Sequence, residues 1–144
     1  MNTRFASVVV GFLAGGLLAA APAVGEDLAR PGMWEIVSTM TMAKKPGNAP
    51  ETRLNHCYKA TDLAGVNGKS AALTTTSAPD QKCTVQDVKY AGSKGTWNTV
   101  CENGVTIHTE LNFHGDSLEG VMQMNVRGDA MTVHMKAKRI GDCR

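Results

Sequence analysis

Methionine is the residue type in this chain whose chemistry is best suited to a binding site. Its flexible, polarizable thioether lines adaptable apolar ligand sites, coordinates soft ions such as Cu(I), and also fills irregular gaps in protein cores. Apart from Met1, the methionines all fall in or beside segments with strand-like alternation: Met33, Met40, Met42, Met122, Met124, Met131 and Met135. The sequence leaves all three uses open.

The other reactive side chains do not form a recognisable catalytic set. The sequence contains no G-x-S-x-G, H-E-x-x-H or phosphate-binding loop motif. His108 and His134 are expected on one polar sheet face two strands apart, about 10 Å from each other, which is too far to share a metal ion. The sequence therefore predicts a protein that is not an enzyme.

The C-terminal methionines lie in a predicted antiparallel β-meander. Glycine–aspartate pairs at 115–116 and 128–129 are hairpin turn signals, and the segments around them alternate apolar and polar residues. The pattern predicts three strands, at 105–113, 117–126 and 130–139. One face of this unit is apolar and the other is polar, as in an antiparallel sheet with one solvated face.

Two-residue loops at these turns predict which side chains are neighbours. The first loop places Ile107 opposite Met124, and the second places Met122 opposite Met135. All four lie on the apolar face, and the methionines of the first strand join them if that strand has the same orientation. Met122 and Met135, as direct neighbours, form the best pair for Cu(I). The predicted ligand-binding residues are Met40, Met42, Ile107, Met122, Met124 and Met135.

Four further strands are predicted before the meander, at 33–42, 51–59, 82–90 and 95–101. A short helix is predicted near 61–65, with Thr61 as its N-cap and Gly65 as its end. The loop after the fourth strand stays open. Three loop residues would place Trp97 and Cys101 on the apolar face, and two would place Val100 there.

This set of elements predicts an all-β fold in a single domain. No predicted helix is long enough to cover the apolar face of about seven strands. The antiparallel meander is therefore expected to curl into a small barrel or half-barrel.

The first 25 residues have the pattern of a secretory signal peptide. Arg4 precedes an apolar run at 5–21, and small residues then lead to the acidic Glu26. Cleavage after Gly25 leaves residues 26–144 as one all-β domain, and no stable membrane anchor is expected because the apolar run is too short. The remaining 14 Lys and Arg nearly balance 13 Asp and Glu, so a nucleic-acid partner is not expected.

The four cysteines all follow this leader, and an even count in an exported chain predicts disulfides. Cys83 and Cys101 flank a turn whose centre is residue 92, so they should face each other on one hairpin. The predicted bridges are Cys83–Cys101 and, by elimination, Cys57–Cys143. No C-x-x-C or C-x-x-H pair is present, which argues against a thiolate zinc site.

Several short stretches resemble one protein family. They are PGMWE at 31–35, HCYKATDL at 56–63, Lys82-Cys83 with Val88, Trp97 to Glu102, GDSLEG at 115–120 and RIGDC at 139–143. Together they resemble the domain-of-unknown-function family 3617, small exported proteins of Gram-negative bacteria. The resemblance implies a periplasmic location, an all-β fold and no assigned activity or catalytic residues. The family often has a longer Met/Pro-rich first loop than the KKPGNAP found here.

These observations predict a non-enzymatic periplasmic β-protein. Its expected partner is a small apolar ligand or an envelope protein, with no cofactor. One alternative is a Cu(I)-handling protein that uses Met122 and Met135, with copper as the bound metal. The other alternative is an unrecognised enzyme.

Overall fold

The computed structural model describes residues 27–45, 47, 50–73 and 82–144. The predicted leader at 1–25 lies outside the described residues. Within the described part of the chain, no helix is both long and apolar enough to cross a membrane.

Seven antiparallel strands form one sheet, in the order β2-β1-β7-β6-β5-β4-β3. The predicted all-β meander with a short helix is confirmed. The sheet has β2 and β3 as its edges and does not close into a barrel. The elements are β1 (Gly32–Met42), β2 (Glu51–Tyr58), α1 (Ala60–Asn67), β3 (Cys83–Ala91), β4 (Lys94–Cys101), β5 (Thr106–Phe113), β6 (Ser117–Val126) and β7 (Asp129–Gly141).

The core lies on the apolar face of the sheet, as the alternating pattern predicts. In β1, the side chains of Trp34 and Ile36 are buried, while that of Glu35 between them is half-buried. The largest fully buried side chains come from the sheet and from α1: Trp34, Phe113, Leu63, Leu111 and Val66. The core therefore includes the short helix as well as the strands.

Helix α1 is longer than the sequence predicted at both ends. Its N-cap is Lys59 rather than Thr61, because the Asp62 carboxylate accepts a hydrogen bond of 2.8 Å from the Lys59 backbone N–H. Gly65 lies inside the helix and does not end it. A Cβ at Gly65 would come within 2.5 Å of the Ala71 Cβ, so this glycine allows the following segment to pack closely.

The register between β5 and β6 is the predicted one, with Ile107 opposite Met124. The register between β6 and β7 differs by two residues, because the loop is Arg127-Gly128 and Val126 pairs with Asp129. Both loop residues have positive φ (52° and 90°), which is typical of a type I′ hairpin turn. A shift of two residues preserves the faces but changes every neighbour.

The corrected register changes two predicted contacts. Met122 lies opposite Val133, and Met135 lies opposite Gly120, so Met122 and Met135 are not direct cross-strand neighbours. On the polar face, His134 lies opposite Val121.

The loop between β4 and β5 has three residues, which confirms the first of the two predicted alternatives. The Cys101 backbone N–H donates to the Val105 carbonyl at 2.9 Å, and Trp97 and Cys101 are buried. Cys83 pairs directly with Cys101 across the β3–β4 hairpin. Both predicted disulfides are present, Cys83–Cys101 and Cys57–Cys143.

Candidate ligand-binding face

One end of the apolar face is closed by α1 and by the segment that precedes β1. Leu63 and Val66 of α1 belong to the same buried cluster as Trp34 and Phe113. Two hydrogen bonds join the Asn67 side chain to the segment before β1. It accepts from the Ala29 N–H at 3.0 Å and donates to the Ala29 carbonyl at 2.9 Å. The side chains at this end of the apolar face therefore belong to the hydrophobic core.

The other end of the apolar face is exposed to solvent. Met40 and Met42 retain 39% and 47% of their accessible surface, whereas Met135 at the closed end retains 4%. The other side chains at the open end are half-buried. We call this region the methionine surface, and it consists of Met40, Met42, Ile107, Met122, Met124 and Met131.

Side chains of the methionine surface align in a row across four strands. Met42 of β1 lies opposite Met131 of β7, which lies opposite Met124 of β6, which lies opposite Ile107 of β5. Directly paired residues of an antiparallel sheet point to the same face, with neighbouring strands about 4.8 Å apart. The row is therefore a continuous apolar strip with three thioethers side by side.

A second row lies between this strip and the core. Met40 lies opposite Val133, which lies opposite Met122, which lies opposite the buried Thr109. Met122 packs against the buried cluster. The exposure of the apolar face thus rises from the core outward, and the outermost row has the most accessible thioether, that of Met42.

Five of the six predicted ligand-binding residues lie on the methionine surface. The sixth, Met135, belongs to the buried core cluster. The predicted set omits Met131, although the alternating pattern places it on the apolar face. The correct β6–β7 register is the signal that identifies it, since this register makes Met131 the link between Met42 and Met124.

A cleft of about 370 Å³ opens at the outer edge of the methionine surface. Its volume falls within the range of about 300–1,000 Å³ that is usual for small-molecule sites. The turn after β1 forms one wall, where the Lys45 N–H donates to the Met42 carbonyl at 3.2 Å. The residues that line the cleft are Met42, Lys44, Lys45, Val126, Asp129, Ala130 and Met131.

The polar face carries a chain of hydrogen-bonded side chains. Asn98 donates to Asp87 at 3.0 Å, and His108 bonds Asn98 through Nδ1 at 2.7 Å. The His108 Nε2 lies 3.4 Å from Glu110, and the Lys94 ammonium lies 2.7 Å from the same carboxylate. Hydrogen bonds from Lys94 and then His108 lower the pKa of Glu110 below its usual value. The side chains of Lys94, His108 and Glu110 keep 44–46% of their accessible surface, so these hydrogen-bonded groups remain solvated.

Among the residues that the structure describes, no three His, Cys, Asp or Glu side chains gather at one point as a metal site. Soft thioether ligands are a separate class, which suits Cu(I) rather than zinc or calcium.

Comparison with known proteins gives a family and no assigned activity. No curated protein and no solved structure matches the chain. A family model matches residues 29–143, from Ala29 at the closed end of the sheet to the cysteine of the Cys57–Cys143 bridge. The family is described as "Protein of unknown function (DUF3617)". The match covers the whole described domain apart from its first and last residues, and the chain therefore belongs to the DUF3617 family.

Proposed function

We propose that this protein is an exported, non-enzymatic binding protein that holds a small apolar molecule on its methionine surface. The observation that carries the proposal is the contrast within one sheet face. One end is closed by α1, while the other leaves Met40 and Met42 more than a third exposed. A contiguous apolar patch on a protein surface is typical of an interaction site.

Methionine is suited to this role because its unbranched side chain changes shape easily and covers apolar ligands of varied form. Covering an exposed apolar surface releases about 25 cal/mol per Å². The cleft beside Met42 and Met131 gives such a ligand a concave seat of about 370 Å³.

Export to the periplasm is part of the proposal. The two disulfides support it, because disulfides persist in oxidising compartments and are rare in the cytosol. The leader-like pattern of residues 1–25 supports it independently.

A titration with a neutral apolar fluorophore, N-phenyl-1-naphthylamine, tests the binding site. We expect saturable binding to the purified, oxidised protein. The double variant Met42→Gln/Met131→Gln should weaken it about tenfold or more, because glutamine keeps the length of methionine but adds a polar amide that the ligand must desolvate. Absence of saturable binding, or unchanged affinity in the double variant, would overturn the proposed site.

Ile140→Gln is the matched control for this titration. Ile140 is also a large exposed apolar side chain of the sheet, with 53% of its surface accessible, but it lies outside the methionine surface. We expect the fluorophore affinity of this variant to equal that of the unchanged protein.

A second candidate function, Cu(I) binding, is favoured by one specific observation. The thioethers of Met42, Met131 and Met124 occupy successive strands in one row at the open end of the face. Two or three thioethers at one accessible place suit this soft ion. This set replaces the pair Met122 and Met135, which the register separates.

Leucine variants separate the two candidate functions. The double variant Met42→Leu/Met131→Leu keeps the surface apolar but removes two sulfur atoms. If copper is the ligand, Cu(I) uptake against a competing chelator is lost in this variant. If an apolar molecule is the ligand, fluorophore binding is retained, and the unchanged protein takes up no Cu(I).

A further inference from the structure

We infer that the ligand of the methionine surface is an anionic amphiphile, a single apolar chain that ends in a carboxylate. This inference rests on the proposed function and adds the chemical class of the ligand. It comes from the cleft at the edge of the surface, where the apolar row meets positively charged side chains.

The turn that follows β1 places a cation directly beside the outermost methionine. Lys45 forms an antiparallel bridge with Met42, and its N–H donates to the Met42 carbonyl at 3.2 Å. Both side chains line the cleft. A ligand whose chain lies along the row from Met124 to Met42 therefore has its end next to the Lys45 ammonium.

The charges around the cleft favour an anion. Lys44 forms an ion pair with Asp129, and both groups are largely exposed. Within the described residues, Lys45 has no carboxylate at ion-pair distance. The residues that line the cleft thus carry two cations, Lys44 and Lys45, against the single carboxylate of Asp129. The rim is therefore positive although the net charge of the whole chain is only +2.

The apolar row and the positive rim together select a ligand. An uncharged apolar molecule would use the methionines but would gain nothing from Lys45. An inorganic anion would use the lysine but would leave the thioethers exposed. A long-chain carboxylate uses both, since its chain covers Met131 and Met42 while its head remains at the solvated rim.

Calorimetric titration with decanoate and with decanol, both below the concentration at which they aggregate, tests the inference. The two probes share a chain length and differ in the head group. We expect decanoate to bind about two- to fivefold more tightly, the range that an exposed ion pair provides. Raising the salt concentration should reduce this preference, because salt screens exposed charges.

Lys45→Gln should remove the preference for decanoate, so that the ratio of the decanoate affinity to the decanol affinity falls to about one. Lys136→Gln, which removes an exposed lysine from the polar face of β7, is the matched control and should change neither affinity.

Three results would overturn the inference, and they differ in what they leave standing. Equal affinities for decanoate and decanol would remove the anionic head but leave the proposed apolar site intact. Failure of both probes to bind would overturn the proposed function as well. Binding to phosphatidylglycerol vesicles without saturable decanoate binding would assign the positive rim to a membrane surface instead of a single amphiphile.

Discussion

Met42 of β1 lies directly opposite Met131 of β7, at the end of the sheet that α1 does not cover. The same strand pair places Ile36 opposite Ala137, three rows nearer to the core of the protein on the same face. One pair of strands thus contributes a buried core row at one end and an exposed thioether row at the other.

Truncation of methionines at the two ends of the face should have unequal effects on stability. Met135→Ala should lower the free energy of unfolding by about 2–5 kcal/mol, because it leaves a cavity in the core. Met42→Ala should cost less than about 1 kcal/mol, since its side chain is already 47% exposed. Denaturant unfolding followed by tryptophan fluorescence measures both values, and equal losses would contradict the division of the face.

A side chain at Gly120 should destabilise the sheet strongly. A Cβ at this position would lie 2.0 Å from the Glu110 carbonyl oxygen and 2.6 Å from the Leu111 Cδ2, and the first of these is a backbone atom that cannot rotate away. We expect Gly120→Ala to cost about 3 kcal/mol or more, measured by denaturant unfolding. Gly47→Ala is the matched control, because a Cβ there meets no atom within 4 Å.

The register of a hairpin can be predicted from the sequence when the residues of its turn are identified correctly. The β5–β6 register follows from a local turn at Gly115, and the structure has it as predicted. The prediction for the β6–β7 register is wrong by two residues, because it places the loop at Gly128-Asp129. The actual loop uses Arg127, a residue type that seldom adopts positive φ.

The open end of the apolar face could not be derived from the sequence. Its exposure depends on where α1 packs, and α1 was predicted as a single turn around Leu63. The observed helix adds a second buried contact, Val66, and covers only one end of the sheet. The identity of the apolar residues was therefore predictable, but their division into core and surface was not.

The two disulfides should contribute unequally to stability. Cys57–Cys143 spans 86 residues of sequence, whereas Cys83–Cys101 spans 18. A bridge stabilises chiefly by limiting the unfolded chain, so removal of the longer one should cost about 4.5 kcal/mol and removal of the shorter one about 3 kcal/mol. Unfolding of the paired serine variants, Cys57→Ser/Cys143→Ser and Cys83→Ser/Cys101→Ser, gives the comparison. A larger loss for the shorter bridge would contradict this account.

The ion pair on the polar face should make a small pH-dependent contribution. The hydrogen bonds from Lys94 and His108 lower the pKa of Glu110 in the folded protein from its usual value of 4.5. The resulting stabilisation is present above that usual value and is lost as the pH falls through the lowered pKa. Thermal melts should therefore show Glu110→Gln below the unchanged protein at pH 7 but level with it in acid.

The control for this pH dependence is Glu119→Gln, which removes an exposed carboxylate from the same face. Its effect on the melting temperature should be smaller at pH 7. A Glu110→Gln variant that matches the unchanged protein at pH 7 would show that the ion pair contributes nothing.

We expect the outer methionines to form the binding surface, while Met135 belongs to the core. The most direct test is a two-dimensional NMR titration of protein labelled with ¹³C at the methionine methyl groups, with decanol as the ligand. We expect the methyl signals of Met42, Met124 and Met131 to shift together and saturate, while those of Met33 and Met135 stay in place. Signals that all remain fixed at saturating decanol, or shifts largest at Met135, would contradict this expectation.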